Sequence, residues 1–304
     1  MYTIKQAAQR SGLPVATVRA WERRYGVVEP ARTAAGYRLY DDQAIARLTA
    51  MRHLVERRGL RPGQAAVELR SGIDITGLVG GFLPYPDVAG SASEVDGPLD
   101  PSAFVDAASR LDLPAMERML DEWFAAERFE AAVEHAVFPA LRAIGAAWTT
   151  GQLDPGMEHA ASETIRRRIA HFFDAAAVTG GQGPIVVGLP PGAQHDIGAL
   201  AFATAARRAG ISVVYLGPNV PLESWLTAVR TTGARVAVVG AIGASDVAPA
   251  TGVVAALGRM DEPPSVVLGG PHAPEVTDGR GAVLLPPALE DAVAVVRGLA
   301  GRTA

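Results

Sequence analysis

The residues best equipped for chemistry stand where one structural element must give way to the next. His195 follows a short apolar segment, Pro184-Ile185-Val186-Val187-Gly188-Leu189, that reads as a strand, and precedes a helix opening at Gly198. An exposed imidazole at the carboxyl end of a parallel strand is where an α/β sheet meets its ligand, and neutral imidazole is the commonest protein ligand of a metal. Glycines end two further apolar runs: Gly240 follows 235–239 and Gly269-Gly270 follows 265–268. A glycine there lets the backbone approach a bound group where a side chain would clash. Upstream, Trp148 is followed after nine residues by Glu158-His159; an aromatic beside a helical bundle is ordinarily core. Near the start, Thr17, Arg19, Arg23 and Arg24 share one short helix, and guanidinium forks suit phosphates and guanine edges.

The elements that must hold these groups follow from periodicity. After Gly180-Gly181-Gln182-Gly183, strands are expected at 184–189, 211–216, 235–239, 265–268 and 282–285, with helices near 198–209, 221–231, 247–259 and 288–300. Continuously apolar strands separated by helices imply a parallel sheet covered on both faces, a C-terminal Rossmann-like (flavodoxin-like) α/β domain. That fold does not name its ligand. No G-x-G-x-x-G or P-loop stands at the first βα turn, which counts against dinucleotides and nucleoside triphosphates. From Ser102 to Ala177 helical spacing predicts four helices, about 102–110, 114–125, 129–146 and 156–176, as a small four-helix bundle. His135 and His171 fall on its helices and read as surface or satisfied core residues.

Residues 3–10 have helical spacing, Ser11-Gly12-Leu13 breaks it, and Pro14 opens a second helix with Val15, Val18 and Trp21 on one side. A short helix, a glycine-containing turn and an arginine-studded second helix make a helix-turn-helix. After Arg32 to Tyr40, Asp41 is placed to cap a third helix containing Ile45, Leu48, Met51 and Leu54. Charge agrees: residues 1–72 hold 13 Lys+Arg against 6 Asp+Glu, a net of +7, and the remainder holds 15 against 26, a net of −11. A basic head on an acidic body points to a polyanion partner for the head alone.

The 304 residues suffice for several cores, and the lack of cysteine excludes thiolate chemistry and disulfides. With no bilayer-length apolar run and no signal-like N-terminus, the expectation is a cytoplasmic protein with no membrane partner. Domains are expected at 1–72, 102–179 and 180–304, with 73–101, rich in Gly, Pro and Ser, as a flexible linker.

Residues 1–70 resemble the MerR-type winged helix-turn-helix domain. By that resemblance Arg32 to Tyr40 forms a wing, the second helix enters the major groove of double-stranded operator DNA, and Thr17, Arg19, Arg23, Arg24, Tyr37 and Arg38 are the contacts; Trp21 and Tyr25 read as packing residues. MerR-type sensors commonly dimerise through a long coiled coil after this domain, and no such heptads follow here, so a homo-oligomer, dimer or tetramer, would assemble through the body.

The segment Gly192 to Gly198 resembles the Asp/Glu-x-His-x-x-Gly signature of cobalamin-binding domains, which makes His195 the lower ligand of a corrin cobalt. In that family Ser-x-Leu follows by about forty residues and Gly-Gly by a little under thirty more. Here 41 residues separate Gly198 from Gly240-Ala241-Ile242, and 26 separate Ile242 from Gly269-Gly270. Trp148, Glu158 and His159 resemble the cap over the upper corrin face in photoreceptor repressors of the CarH/LitR type, where the cofactor is adenosylcobalamin.

Three positions depart from the pattern. Ala193 replaces the acidic residue that orients the histidine, a loss that typically costs roughly 10 to 100-fold in metal affinity. Gly240 replaces the serine, and Thr149 stands where light-sensing relatives can carry a histidine. The expected function is a non-enzymatic, cobalamin-dependent, light-responsive repressor. Two alternatives stay open: a MerR-type regulator with weakened or lost cobalamin binding that senses another ligand or a protein, and a corrinoid methyl carrier or mutase subunit.

Overall fold

A computed structural model describes residues 1–11, 13–32, 38–56, 60–70, 100–176, 184–276 and 281–301. The head packs α1 (Ile4–Ser11), α2 (Val15–Tyr25), α3 (Asp42–Glu56) and α4 (Pro62–Arg70) around Ala7, Val18, Trp21, Leu48, Met51 and Leu54. The β1 (Ala31–Arg32) and β2 (Arg38–Leu39) strands pair antiparallel as the base of the wing. Asp41 caps α3 as its position implies, its Oδ1 accepting from the Ala44 N–H at 2.7 Å. Trp21 is buried and Tyr25 packs against the same core, as their apolar neighbours lead one to expect.

The bundle comprises α5 (Pro101–Ser109), α6 (Leu113–Ala126), α7 (Phe129–Ala132), α8 (Phe138–Thr149) and α9 (Pro155–Ala175). Three of these begin alike. Asp100, Asp112 and Asp154 each accept a hydrogen bond from a backbone N–H of the first turn, and Pro101, Pro114 and Pro155 occupy the opening positions. Aspartate satisfies an orphan donor while proline presets φ and gives up an N–H that has no partner there anyway. The Asp100-Pro101 pair starts α5 inside the segment expected as linker; residues 73–99 of that linker lie outside the described residues. The expected helix 129–146 extends to Thr149, and α7 and α8 are joined by a π turn (Val133–Val137) rather than a break.

The third unit is a five-stranded parallel sheet in the order β4-β3-β5-β6-β7, formed by β3 (Ile185–Gly188), β4 (Val213–Gly217), β5 (Val236–Gly240), β6 (Ser265–Gly269) and β7 (Val283–Leu284). The intervening helices are α10 (Ile197–Arg208), α11 (Leu222–Thr232), α12 (Val247–Leu257) and α13 (Leu289–Ala300). Every residue of β3 and β5 is buried, as both-face coverage requires. β3 lies between β4 and β5, with the chain leaving it first toward β4 and then crossing to β5. That reversal opens a crevice at the carboxyl ends of the strands. One continuous core runs from Phe104 and Trp123 of the bundle through Phe202 of α10 to Val296 of α13, so bundle and sheet bury a shared interior. No helix among the described residues is long and apolar enough to cross a membrane.

Candidate functional site: the sheet crevice, the bundle edge and the basic head

A cavity of about 290 Å3 opens at the crevice, and Gly198, Gly240, Ile242, Gly269 and Gly270 all line it. Phe202 of α10, Leu284 and Leu285 beside β7, and Phe138 from the bundle complete its apolar walls; none of its lining side chains is charged. Strand geometry explains the convergence, because residues far apart in sequence meet wherever parallel strands end together. Gly240 and Gly269 are register partners at the ends of β5 and β6.

Gly270 is required by its surroundings, and Gly240 is tightly packed. Gly270 has φ +102°, and a Cβ there would strike the Ala241 carbonyl. At Gly240 a Cβ would run into Cδ2 of the buried Leu189. Leu189 also packs with Ala193 and Ile242 in one small apolar cluster. Leu189 thus stands beside both departures, 193 and 240.

Asp246, invisible to motif reading, shapes the turn after β5. Its buried Oδ2 accepts from the Ile242 N–H at 3.0 Å and the Gly243 N–H at 2.8 Å.

The loop from Pro190 to Asp196 carries half-buried His195. Asn219, itself at φ 52°, braces its start: the side chain Oδ1 accepts from the Gly192 N–H and the Asn219 N–H donates to the Ala193 carbonyl, both at 2.7 Å. Asp196 ends the loop and is only 3% exposed. Its carboxylate does not cap α10. Instead Arg166 of α9 donates from Nε to Oδ1 at 3.0 Å and from Nη2 to Oδ2 at 2.9 Å, and the Tyr215 hydroxyl donates to Oδ2 at 2.9 Å. The hydrogen bonds to Asp196 push the Arg166 pKa upward. Neither Arg166 nor Tyr215 carried a motif; the legible signal was an aspartate opening a helix of apolar composition.

At the bundle edge, Trp148 lies in the last turn of α8 rather than beyond it, half-buried against the bundle core. The adjacent Thr149 hydroxyl donates to the Gly145 carbonyl at 2.8 Å, its own helix absorbing the donor. Glu158 sits in the first turn of α9, half-buried, and accepts from the Ser162 hydroxyl at 2.7 Å. Burial raises its pKa above the ordinary carboxylate value. His159 is exposed. The π turn places Glu134 so that its Oε1 accepts from the Leu289 N–H at 2.6 Å, holding the start of α13 beside the cavity.

In the head, Arg19, Arg23 and Arg24 project from α2 as exposed cations, and Thr17 is half-buried on the same helix. Arg38 differs. Its Nε donates to both Glu22 oxygens at 2.8 and 3.1 Å, and the Tyr40 hydroxyl donates to Glu22 at 3.0 Å, so this expected DNA contact also ties the wing to α2. Tyr37 lies outside the described residues. Two further arginines serve the fold: Arg47 donates to the Val27 carbonyl and Arg70 to the Tyr25 carbonyl, beside the end of α2.

The donor set bears on what the crevice can hold. Among the described residues no group of three or more His, Asp or Glu side chains is arranged to hold a metal ion. A single imidazole, three residues before Gly198 of this apolar, glycine-lined cavity, fits a metal that arrives in its own macrocycle. The family comparisons agree. Residues 2–71 match the MerR HTH family regulatory protein model, and residues 102–172 and 183–285 each match a B12 binding domain model. The chain is 32% identical over 229 residues to the HTH-type transcriptional repressor CarH of Myxococcus xanthus, covering 73% of this chain and 72% of the relative. The chain belongs to the CarH-type family of MerR regulators. The HTH-type transcriptional repressor CarA of the same organism is 26% identical over 72% of this chain and 68% of its own length. The monomethylamine corrinoid protein of Methanosarcina barkeri shares the bundle-plus-sheet fold, with a TM-score of 0.54 at 16% identity over 66% of this chain and 96% of that one. A CarH-type chain is a transcriptional regulator with a DNA-binding head and cobalamin-binding domains, and the corrinoid likeness is one of fold.

Proposed function

We propose that this chain is a light-responsive repressor in which adenosylcobalamin controls assembly and operator binding. One observation carries the reading: Gly198, Gly240, Ile242, Gly269 and Gly270 converge on a single apolar cavity to which the bundle contributes Phe138. In this reading the cavity would take the nucleotide tail, His195 would hold the cobalt, and Trp148, Glu158 and His159 would line the adenosyl group. Bound adenosylcobalamin supplies a cobalt–carbon bond that visible light breaks. The cavity walls exclude water from the tail. Glu158, its pKa raised by burial, keeps a proton to higher pH than an exposed carboxyl and can then donate a hydrogen bond as well as accept one.

The output is avidity. Thr17, Arg19, Arg23, Arg24, Tyr37 and Arg38 would meet operator DNA through α2 and the wing, in the cytoplasm where that DNA lies. Joining weak heads in a dimer or tetramer raises affinity by roughly 100-fold or more without a new contact, and dissociation removes the gain.

The test loads the full chain with adenosylcobalamin in darkness, records its absorbance after gel filtration, and follows retention of selected genomic DNA fragments before and after green light. Corrin bands should elute with the protein, and DNA retained in the dark should be released on illumination. Bands that never elute with the protein defeat the cofactor reading, and bands indifferent to light defeat the light reading.

A second reading, a regulator with weakened cobalamin dependence that answers another apolar ligand or a protein, draws on two observations. Ala193 is enclosed with Leu189 and Ile242 where the family's acidic residue belongs, and Thr149 is committed to its own helix. The same gel filtration separates the readings.

A further inference from the structure

The position that orients the histidine in the family signature is unable to do so here. Ala193 is 2% exposed and packed with Leu189 and Ile242. A carboxylate introduced there would be buried among apolar groups, which is costly unless it is paired. Yet the loop is held firmly one residue on the other side of His195, by a group that belongs to the bundle.

We propose that Arg166, Asp196 and Tyr215 are the positioning residues for the cobalt ligand His195, and that through Arg166 the bundle itself fixes where that imidazole stands. The inference rests on the reading of His195 as the lower ligand. Both carboxylate oxygens of Asp196 accept from Arg166, one additionally from Tyr215, at 2.9 to 3.1 Å. The Asp196 N–H donates to the Gln194 carbonyl at 3.1 Å, so the anchored residue closes a tight turn around His195. A planar guanidinium gripping a carboxylate through two nitrogens fixes orientation as well as distance, which a lysine ammonium does not.

The clamp joins three elements: α9, the loop and β4. Helix α9 also carries Glu158 in its first turn, eight residues before Arg166 and so about 12 Å along the axis. One rigid helix thus bears both a residue of the upper cap and the anchor of the lower ligand's loop. In the usual pattern a carboxylate within the sheet domain holds the histidine; here that hold comes from the unit that covers the other face.

The experiment identifies the axial ligand directly. Full-length protein labelled with 15N-histidine is loaded with cob(II)alamin without oxygen and read by electron paramagnetic resonance, with cobalamin affinity measured by absorbance titration. An axial histidine nitrogen splits the cobalt signal into doublets, whereas the unlabelled nitrogen of the nucleotide base gives triplets. Wild type should show doublets that His195→Ala abolishes. Arg166→Met and Asp196→Asn should lose the doublets and roughly 10 to 100-fold in affinity, with helical content by circular dichroism retained. Tyr215→Phe should show a smaller loss in the same direction. Should Arg166→Met fail to fold, Arg166→Lys, which keeps the charge without the fork, carries the same expectation.

Doublets and affinity that persist unchanged in the Arg166 variants overturn the proposal while leaving His195 a ligand. Wild type without doublets shows instead that His195 does not ligate cobalt, and the proposal falls with that reading.

Discussion

The crevice and the basic head pose opposite problems to a reader of sequence. In the crevice the informative residues lack functional groups: five positions, four of them glycine, become a site because parallel strands end on one rim. In the head most of the informative residues are arginines, and residue type does not say which are available. Arg19, Arg23 and Arg24 are exposed, whereas Arg38 is bound to Glu22 and Arg47 and Arg70 to backbone carbonyls. Where topology places a residue, spacing suffices. Where function depends on what a side chain is already bonded to, only the folded contacts decide.

The severest test of the crevice is Gly270→Val. The residue would occupy φ +102° with its Cβ against the Ala241 carbonyl, costing roughly 3 kcal/mol or more in backbone strain and overpacking. Urea denaturation should show that loss, and absorbance titration should show no cobalamin uptake by the variant. Wild-type stability would mean that glycine at this landmark is not imposed by local geometry.

Gly240→Ser sharpens the same point with a milder change. Restoring the family's serine should cost about 1 to 3 kcal/mol, because its Cβ meets Cδ2 of Leu189 within a full core. Combining it with Leu189→Ala should recover part of that cost, so that the two changes are not additive. Strict additivity in the denaturation midpoints would separate the two positions.

For the head, Arg23→Ala should weaken DNA binding about ten-fold, in the range of a direct contact. Removal of a phosphate contact should also lower the slope of log affinity against log salt by about one unit. Arg38→Ala should act differently, loosening the wing from α2 and lowering the head's thermal midpoint, which Arg23→Ala leaves nearly unchanged. Equal effects of the two variants on both measurements would erase the distinction between exposed and engaged arginines.

Much of this was legible beforehand for physical reasons. The alternation of β and α after residue 183 and the three glycine landmarks are local or topological signals, and the expected strands match the observed ones within two residues at each end. What escaped is long-range and depends on shape. The Arg166–Asp196 pair spans 30 residues between two domains, and Leu189 stands beside both positions 193 and 240. Helical spacing does not mark the end of α8, which runs three residues past 146 to Thr149 with Trp148 in its last turn.

The smallest effect expected concerns Glu158, where the bundle buries a carboxyl that the head would leave exposed. Its pKa is raised chiefly by desolvation, with the Ser162 hydroxyl bond opposing that shift. A carboxyl whose folded pKa lies above its unfolded value binds more protons in the native state, so its contribution to stability falls as pH rises from the unfolded pKa through the folded one. Glu158→Gln removes the charged form and keeps the shape. The variant should therefore melt at a modestly higher temperature than wild type near neutral pH, with the difference shrinking below about pH 4, where the wild-type carboxyl is protonated in both states. If instead the variant melts lower near neutral pH, the ionised carboxylate is stabilised in place, and the bundle edge is a polar site like the head rather than a desolvated one like the crevice.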